Sequence, residues 1–88
     1  MKLIITIIRD VDNDQVSHAL TESGFRVTMI ASTGGFFRRG STTLLIGVED
    51  NQVETAISTI KENCVQPEEH GSKKATVFVI NVEHFVHF

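Results

Sequence analysis

The chain has one cysteine, one proline and no excess of basic residues, and none of its apolar runs is long. With Cys64 alone, neither an internal disulfide nor a cysteine-based zinc site can be written, which fits a reducing compartment. Eight Lys and Arg stand against 11 Asp and Glu, a formal net charge of −3. That balance argues against a general nucleic-acid or acidic-membrane surface, because both rest on a basic excess. Any anion binding must be local. A membrane span needs about 20 apolar residues and none is present. The start Met1-Lys2-Leu3-Ile4-Ile5-Thr6 is too soon interrupted by Arg9-Asp10 to be a secretory signal, so a soluble, cytoplasmic protein is expected. Walker loop, dinucleotide fingerprint and serine nucleophile elbow are all missing, and Cys64 falls on the apolar stripe of a helix, where a thiol is inert; no enzyme is expected.

Two acidic or imidazole patterns invite a metal reading and fail. Asp10-x-Asp12-x-Asp14 begins like a calcium loop, but Gln15 replaces the turn glycine and Thr21 stands where a bidentate Glu belongs, so these carboxylates read as a helix-entry cluster. His84-x-x-His87 has no third ligand at regular spacing beyond Glu83, so no metal and no cofactor are expected.

What is present is a clear alternation of periods. A chain of 88 residues allows one domain, residues 1–88, with a thin core that oligomerisation would help to complete. Residues 2–8 read as a central strand, Asp12-x-x-Gln15 as a capping box opening a helix through Val16, Ala19 and Leu20, and Gly24 as its C-terminal stop. Strands follow over 25–30 and 42–48. Asp50 or Asn51 is then placed to cap a second helix with Val53, Ala56, Ile57, Ile60 and Cys64 on one stripe, Pro67 and Gly71 mark a loop, and 75–82 is the last strand. The order β-α-β-β-α-β predicts an α+β, ferredoxin-like sandwich: one antiparallel sheet with two helices on one face.

Strand alternation bears on assembly. Phe25, Val27 and Met29 are expected to meet the helices, with Arg26 and Thr28 on the opposite face. The runs 2–8 and 42–48 keep apolar side chains for that opposite face as well, so a second cover is expected, supplied by another copy of the chain. A cation such as Arg26 on a covered face needs a partner, either a neighbour's carboxylate or an anionic ligand.

Chemistry concentrates in Thr33-Gly34-Gly35-Phe36-Phe37-Arg38-Arg39-Gly40-Ser41-Thr42-Thr43. Glycine leaves backbone N–H groups free for an anion, guanidinium groups pair with phosphate, and a ring stacks on a base. By itself this segment is also consistent with a plain strand connection, with Phe36 and Phe37 plugging a seam between subunits.

The run Phe25-Arg26-Val27-Thr28, the glycine-rich block, Gly47-Val48 and the stretch Ala75-Thr76-Val77-Phe78-Val79 with Phe85 and Phe88 together resemble the PII-like cyclic di-AMP receptor family of Gram-positive bacteria. The resemblance implies a PII-like homotrimer that holds one cyclic di-AMP in each cleft between subunits and relays it to a protein target, the sequence naming no such target. Its implied ligand contacts are Arg26, Val27, Thr28, Gly35, Phe36, Phe37, Ser41 and Gly47: Arg26 and Thr28 on phosphate and ribose, Gly35, Phe36 and Phe37 around an adenine, and Gly47 leaving room beside the strand. This chain differs from the family pattern in having Gly24 and Ser41 where Asn is frequent, and a shorter connection over 65–74 than the family's long glycine-rich loop. A trimer that binds another nucleotide, or a ligand-free scaffold, is the alternative those differences leave open.

Overall fold

A computed structural model describes residues 1–32, 40–65 and 75–88. The apolar run at the start forms β1 (Lys2–Arg9), which enters a short 3-10 turn, Asp10–Asp12, and then α1 (Asn13–Glu22). Strand β2 (Arg26–Ser32) leads to β3 (Ser41–Val48), a second 3-10 turn, Asp50–Gln52, then α2 (Val53–Glu62) and finally β4 (Ala75–Asn81). The sheet has the order β2-β3-β1-β4, and each neighbouring pair is antiparallel. This is the α+β, ferredoxin-like arrangement expected from the sequence.

Period-2 alternation sorts the sheet into two faces. Ile4, Thr6 and Ile8 of β1 and Thr42, Leu44, Ile46 and Val48 of β3 are buried under the helices. Val16 and Leu20 of α1 and Ala56 and Ile60 of α2 meet them, with Cys64 and Phe25 closing the layer. Each large apolar side chain buried this way contributes about 1.5–3 kcal/mol. The expected α2 stripe is therefore present, with Val53 and Ile57 packed on its flank.

The helix ends differ from expectation in an instructive way. Asp12 stands at the N-cap of α1 and Gln52 at that of α2, each helix is entered through a 3-10 turn, and neither N-cap side chain makes a capping hydrogen bond. The Asp12 carboxylate is instead fully buried and used elsewhere. Its Oδ2 accepts from Arg9 Nε at 3.0 Å and its Oδ1 accepts from the Val65 N–H at 3.0 Å, while the Arg9 guanidinium also donates to the Val65 carbonyl. Beside it Thr42 donates to Asp10, and the Asp10 N–H donates to the Gly40 carbonyl at 2.9 Å. Asp10 and Asp12 thus tie the end of β1 to the start of β3 and to the chain just past α2, a larger task than the helix-entry role read from sequence.

Gly24 does stop α1. Its φ of +92° is accessible to glycine and costly for most other residues. The Gly24 N–H donates to Thr21 O and the Phe25 N–H to Leu20 O, each at 3.0 Å, the paired bonds of a Schellman motif. This geometry turns the chain so that Phe25 enters the core and Arg26, the first residue of β2, points to the other face of the sheet.

Candidate functional site

The face of the sheet away from the helices carries rows fixed by strand register. Arg26 lies opposite Gly47, Gly47 opposite Leu3, and Leu3 opposite Ile80; the next row runs Thr28, Leu45, Ile5, Phe78. Phe78 and Ile80 are about half exposed and Ile7 is exposed at 37%. No described element of the chain covers this face. The apolar side chains expected there are present, and the second cover is not supplied from within the described residues.

At one end of this face is a groove of about 480 Å³, in the size range of small-molecule sites. Arg26, Thr28, Leu45, Gly47 and Leu3 form its floor, and Met1, Lys2, Val82 and Phe85 its rim. Two contacts build the rim. The Met1 carbonyl accepts from the Val82 N–H at 3.1 Å, which brings the segment after β4 alongside the start of β1. The Met1 amine sits 3.0 Å from the Asp50 carboxylate, and that hydrogen bond and charge hold the Asp50 carboxyl below its ordinary range. Lys2 donates to Asn81, so its ammonium is engaged at the edge of the groove.

Arg26 differs from the other arginine described. Arg9 is paired with buried Asp12, whereas the ion pairs among the described residues leave the Arg26 guanidinium without a carboxylate. It is exposed, next to the Thr28 hydroxyl on the same strand face, with no side chain on Gly47 between it and Leu3. An unpaired guanidinium, a hydroxyl and a gap at a glycine in an otherwise apolar groove make a place for a ligand with both an anionic and an apolar part.

Gly47 leaves a definite amount of room. A Cβ added there would lie 3.3 Å from Met1 Cε, the end of a flexible side chain, and would project into the groove. Gly47→Leu is therefore expected to leave the urea midpoint close to that of the unchanged protein while filling the groove, so that stabilisation by an added nucleotide is lost. A Gly47→Leu protein that responds to nucleotide as before contradicts this placement.

The expected contacts divide by position. Arg26, Thr28 and Gly47 are brought together in the groove. Val27 points the other way and packs against the core under the helices, so only its main chain is presented to a ligand. Ser41 begins β3, opposite Arg9, six residues from Gly47 and hence about 20 Å away along the strand; it is not part of the groove. Gly35, Phe36 and Phe37 lie outside the described residues. Met29 meets α1 as expected, its Sδ 4.0 Å from Asn13 Nδ2, and is 56% exposed because β2 is the last strand on that side of the sheet. Phe85, which entered the sequence reading through the family resemblance and not as a ligand contact, also lines the groove, as do Leu3, Leu45 and Val82.

Other chemistry is sparse among the described residues. No group of three or more His, Cys, Asp or Glu is placed to hold a metal ion, Cys64 is buried, and no helix is long and apolar enough to cross a membrane.

Comparison with known proteins bears on the fold and the family. A functionally unknown protein from Pediococcus pentosaceus ATCC 25745, known from its crystal structure, matches with a TM-score of 0.79 at 34% identity, over 99% of this chain and 96% of that one. Residues 1–70, which hold the two central strands, both helices and the Arg26–Thr28–Gly47 floor, match the cyclic-di-AMP receptor family. With the ferredoxin-like topology already in place, that match over most of the length identifies the chain as a member of the cyclic-di-AMP receptor family.

Proposed function

We propose that this protein is a cyclic di-AMP signal receptor that binds its ligand at the Arg26, Thr28 and Gly47 groove, between the subunits of a homotrimer. The observation that carries the reading is the unpaired Arg26 guanidinium beside Thr28 and Gly47 in an apolar groove of a receptor-family chain. A phosphodiester takes the guanidinium, and the flat bases take the apolar walls.

Two further features support a shared site. The open face carries Leu3, Ile5, Leu45, Phe78 and Ile80, an apolar surface that a second copy would cover. Ser41 lies about 20 Å from Gly47 along β3, too far for the groove of one subunit to hold both, so a ligand that touches both positions would have to meet two copies of the chain. Signalling then follows from differential affinity: a ligand that binds one arrangement of the subunits' loops better shifts the population toward it and alters docking to a protein target. The protein acts as a receptor and not as an enzyme.

Neither Gly24 nor Ser41, where this chain differs from the family pattern, lines the groove. Gly24 occupies a left-handed position that Asn also tolerates, and open space surrounds it, so the backbone geometry is compatible with either residue and only the amide is absent.

Thermal unfolding tests the reading. Excess cyclic di-AMP is expected to raise the midpoint, by an amount set by RT ln(1 + [L]/Kd), while cyclic di-GMP, ATP and AMP do not. A flat response to cyclic di-AMP at high concentration sinks the assignment. A selective response to one of the other nucleotides replaces the ligand, and no response to any of them favours a ligand-free scaffold.

A further inference from the structure

We propose that Asp10, Asp12 and Thr42 form a buried hub through which ligand contact at the start of β3 is felt at Val65, beyond the end of α2. The inference rests on the ligand reading above, in which the start of β3 of one copy meets the ligand in its neighbour's groove. It adds the route by which that contact reaches a second part of the surface.

One turn, Asp10–Asp12, grips two distant points of the chain. On one side the Asp10 N–H donates to the Gly40 carbonyl at 2.9 Å, and the Thr42 hydroxyl donates to Asp10 Oδ1. On the other the Val65 N–H donates to Asp12 Oδ1 at 3.0 Å, while Arg9, paired with Asp12, donates to the Val65 carbonyl. Gly40 and Thr42 flank Ser41, the residue of β3 opposite Arg9. A shift of Ser41 therefore pulls on Asp10 and, within the same short turn, on Asp12 and Val65.

Burial makes the connection stiff. Asp10, Asp12 and Thr42 are 5%, 0% and 1% exposed, so water cannot replace a bond that the hub gives up, and a lost partner costs more there than at the surface. Buried charged pairs are also weak stabilisers beside apolar side chains of similar volume, and their best attested use is to fix one arrangement among several. In a layer otherwise built from side chains such as Ile4, Ile8, Leu44 and Ile46, two carboxylates and a hydroxyl stand where β3 begins. Val65 is 55% exposed, so a displacement there is presented to a partner and not absorbed by the core.

Amide exchange followed by NMR, with and without saturating cyclic di-AMP, tests the route. Ser58, in the middle of α2 and outside both groove and hub, reports the stabilisation that any bound ligand gives the whole fold. In the unchanged protein the ligand is expected to slow exchange at Asp10 and Val65 at least about fivefold more than at Ser58, the lower end of ordinary coupling between sites. Thr42→Val removes the hydroxyl at nearly constant volume, and in it Val65 should respond no more than Ser58; Thr42→Ser, which keeps the hydroxyl, should restore the response. Calorimetry establishes that each protein is occupied. Slowing at Val65 that merely follows Ser58 in the unchanged protein overturns the inference and leaves the Arg26 reading standing, whether or not Thr42→Val folds. A full Val65 response in occupied Thr42→Val overturns the hub as its route. Failure of the unchanged protein to bind overturns the ligand reading itself, and this inference with it.

Discussion

Replacing Arg9 by Met is expected to lower the stability of the fold by about 3–5 kcal/mol, the cost typical of breaking a buried ion pair from one side. The carboxylate of Asp12 is completely buried, with Arg9 only 30% exposed above it at 3.0 Å. Removing the guanidinium leaves Asp12 charged in the interior with only the Val65 N–H as an identified donor. The Val65 carbonyl loses its donor in the same step. Substituting both partners, Arg9→Met with Asp12→Leu, should recover a large part of the loss, because an apolar pair carries no stranded charge. Urea unfolding at a fixed protein concentration checks this, the fixed concentration being needed for any chain that assembles. An Arg9→Met midpoint near that of the unchanged protein would show that the network of Arg9, Asp12 and Val65 is not structural.

Replacing Arg26 by Ala is expected to have the opposite profile: little effect on folding and a large effect on ligand. Arg26 is exposed at the start of β2 and makes no ion pair among the described residues, so its loss should move stability by no more than about 0.5 kcal/mol. Its guanidinium has no carboxylate partner among the described residues, and a desolvated guanidinium–phosphate contact is worth enough that removing it is expected to weaken cyclic di-AMP binding by about a hundredfold or more. Arg26→Lys should restore little, because an ammonium does not reproduce the planar two-donor contact. Titration calorimetry on the three proteins separates the cases. Binding by Arg26→Ala at the unchanged affinity would remove Arg26 from the site. The two arginines thus make a paired contrast, one serving the fold and the other serving the ligand.

Their difference was only half legible in the sequence. Periodicity revealed the six elements, because Ile-rich strands and the Val53, Ala56, Ile57, Ile60 stripe leave strong signals at periods 2 and 3.6. It placed Arg26 and Thr28 on the face away from the helices, as β2 shows through its pairing with Gly47 and Leu45. Gly24 was legible as a stop because its left-handed φ is a local demand. The acidic cluster was not: Asp12 stands where a cap belongs, and only the tertiary fold brings the Val65 N–H to it across 53 positions of sequence. A cap and a buried strut look alike in one dimension. Met29 did take the face that alternation assigns, reaching Asn13 of α1, although alternation does not tell how much of an edge strand stays exposed. That Phe85 lines the groove was not legible, because the segment after β4 is brought alongside β1 by contacts such as Val82 N–H to Met1 O, which no local pattern announces.

The central claim is that cyclic di-AMP sits in the Arg26, Thr28 and Gly47 groove of this chain. The most direct measurement is a crystal structure of the protein grown with cyclic di-AMP. The account predicts one ligand per subunit, a phosphate oxygen within hydrogen-bond distance of the Arg26 guanidinium, and a second copy of the chain closing the open sheet face. Ligand bound elsewhere, with Arg26 in solvent and the groove empty, would contradict it.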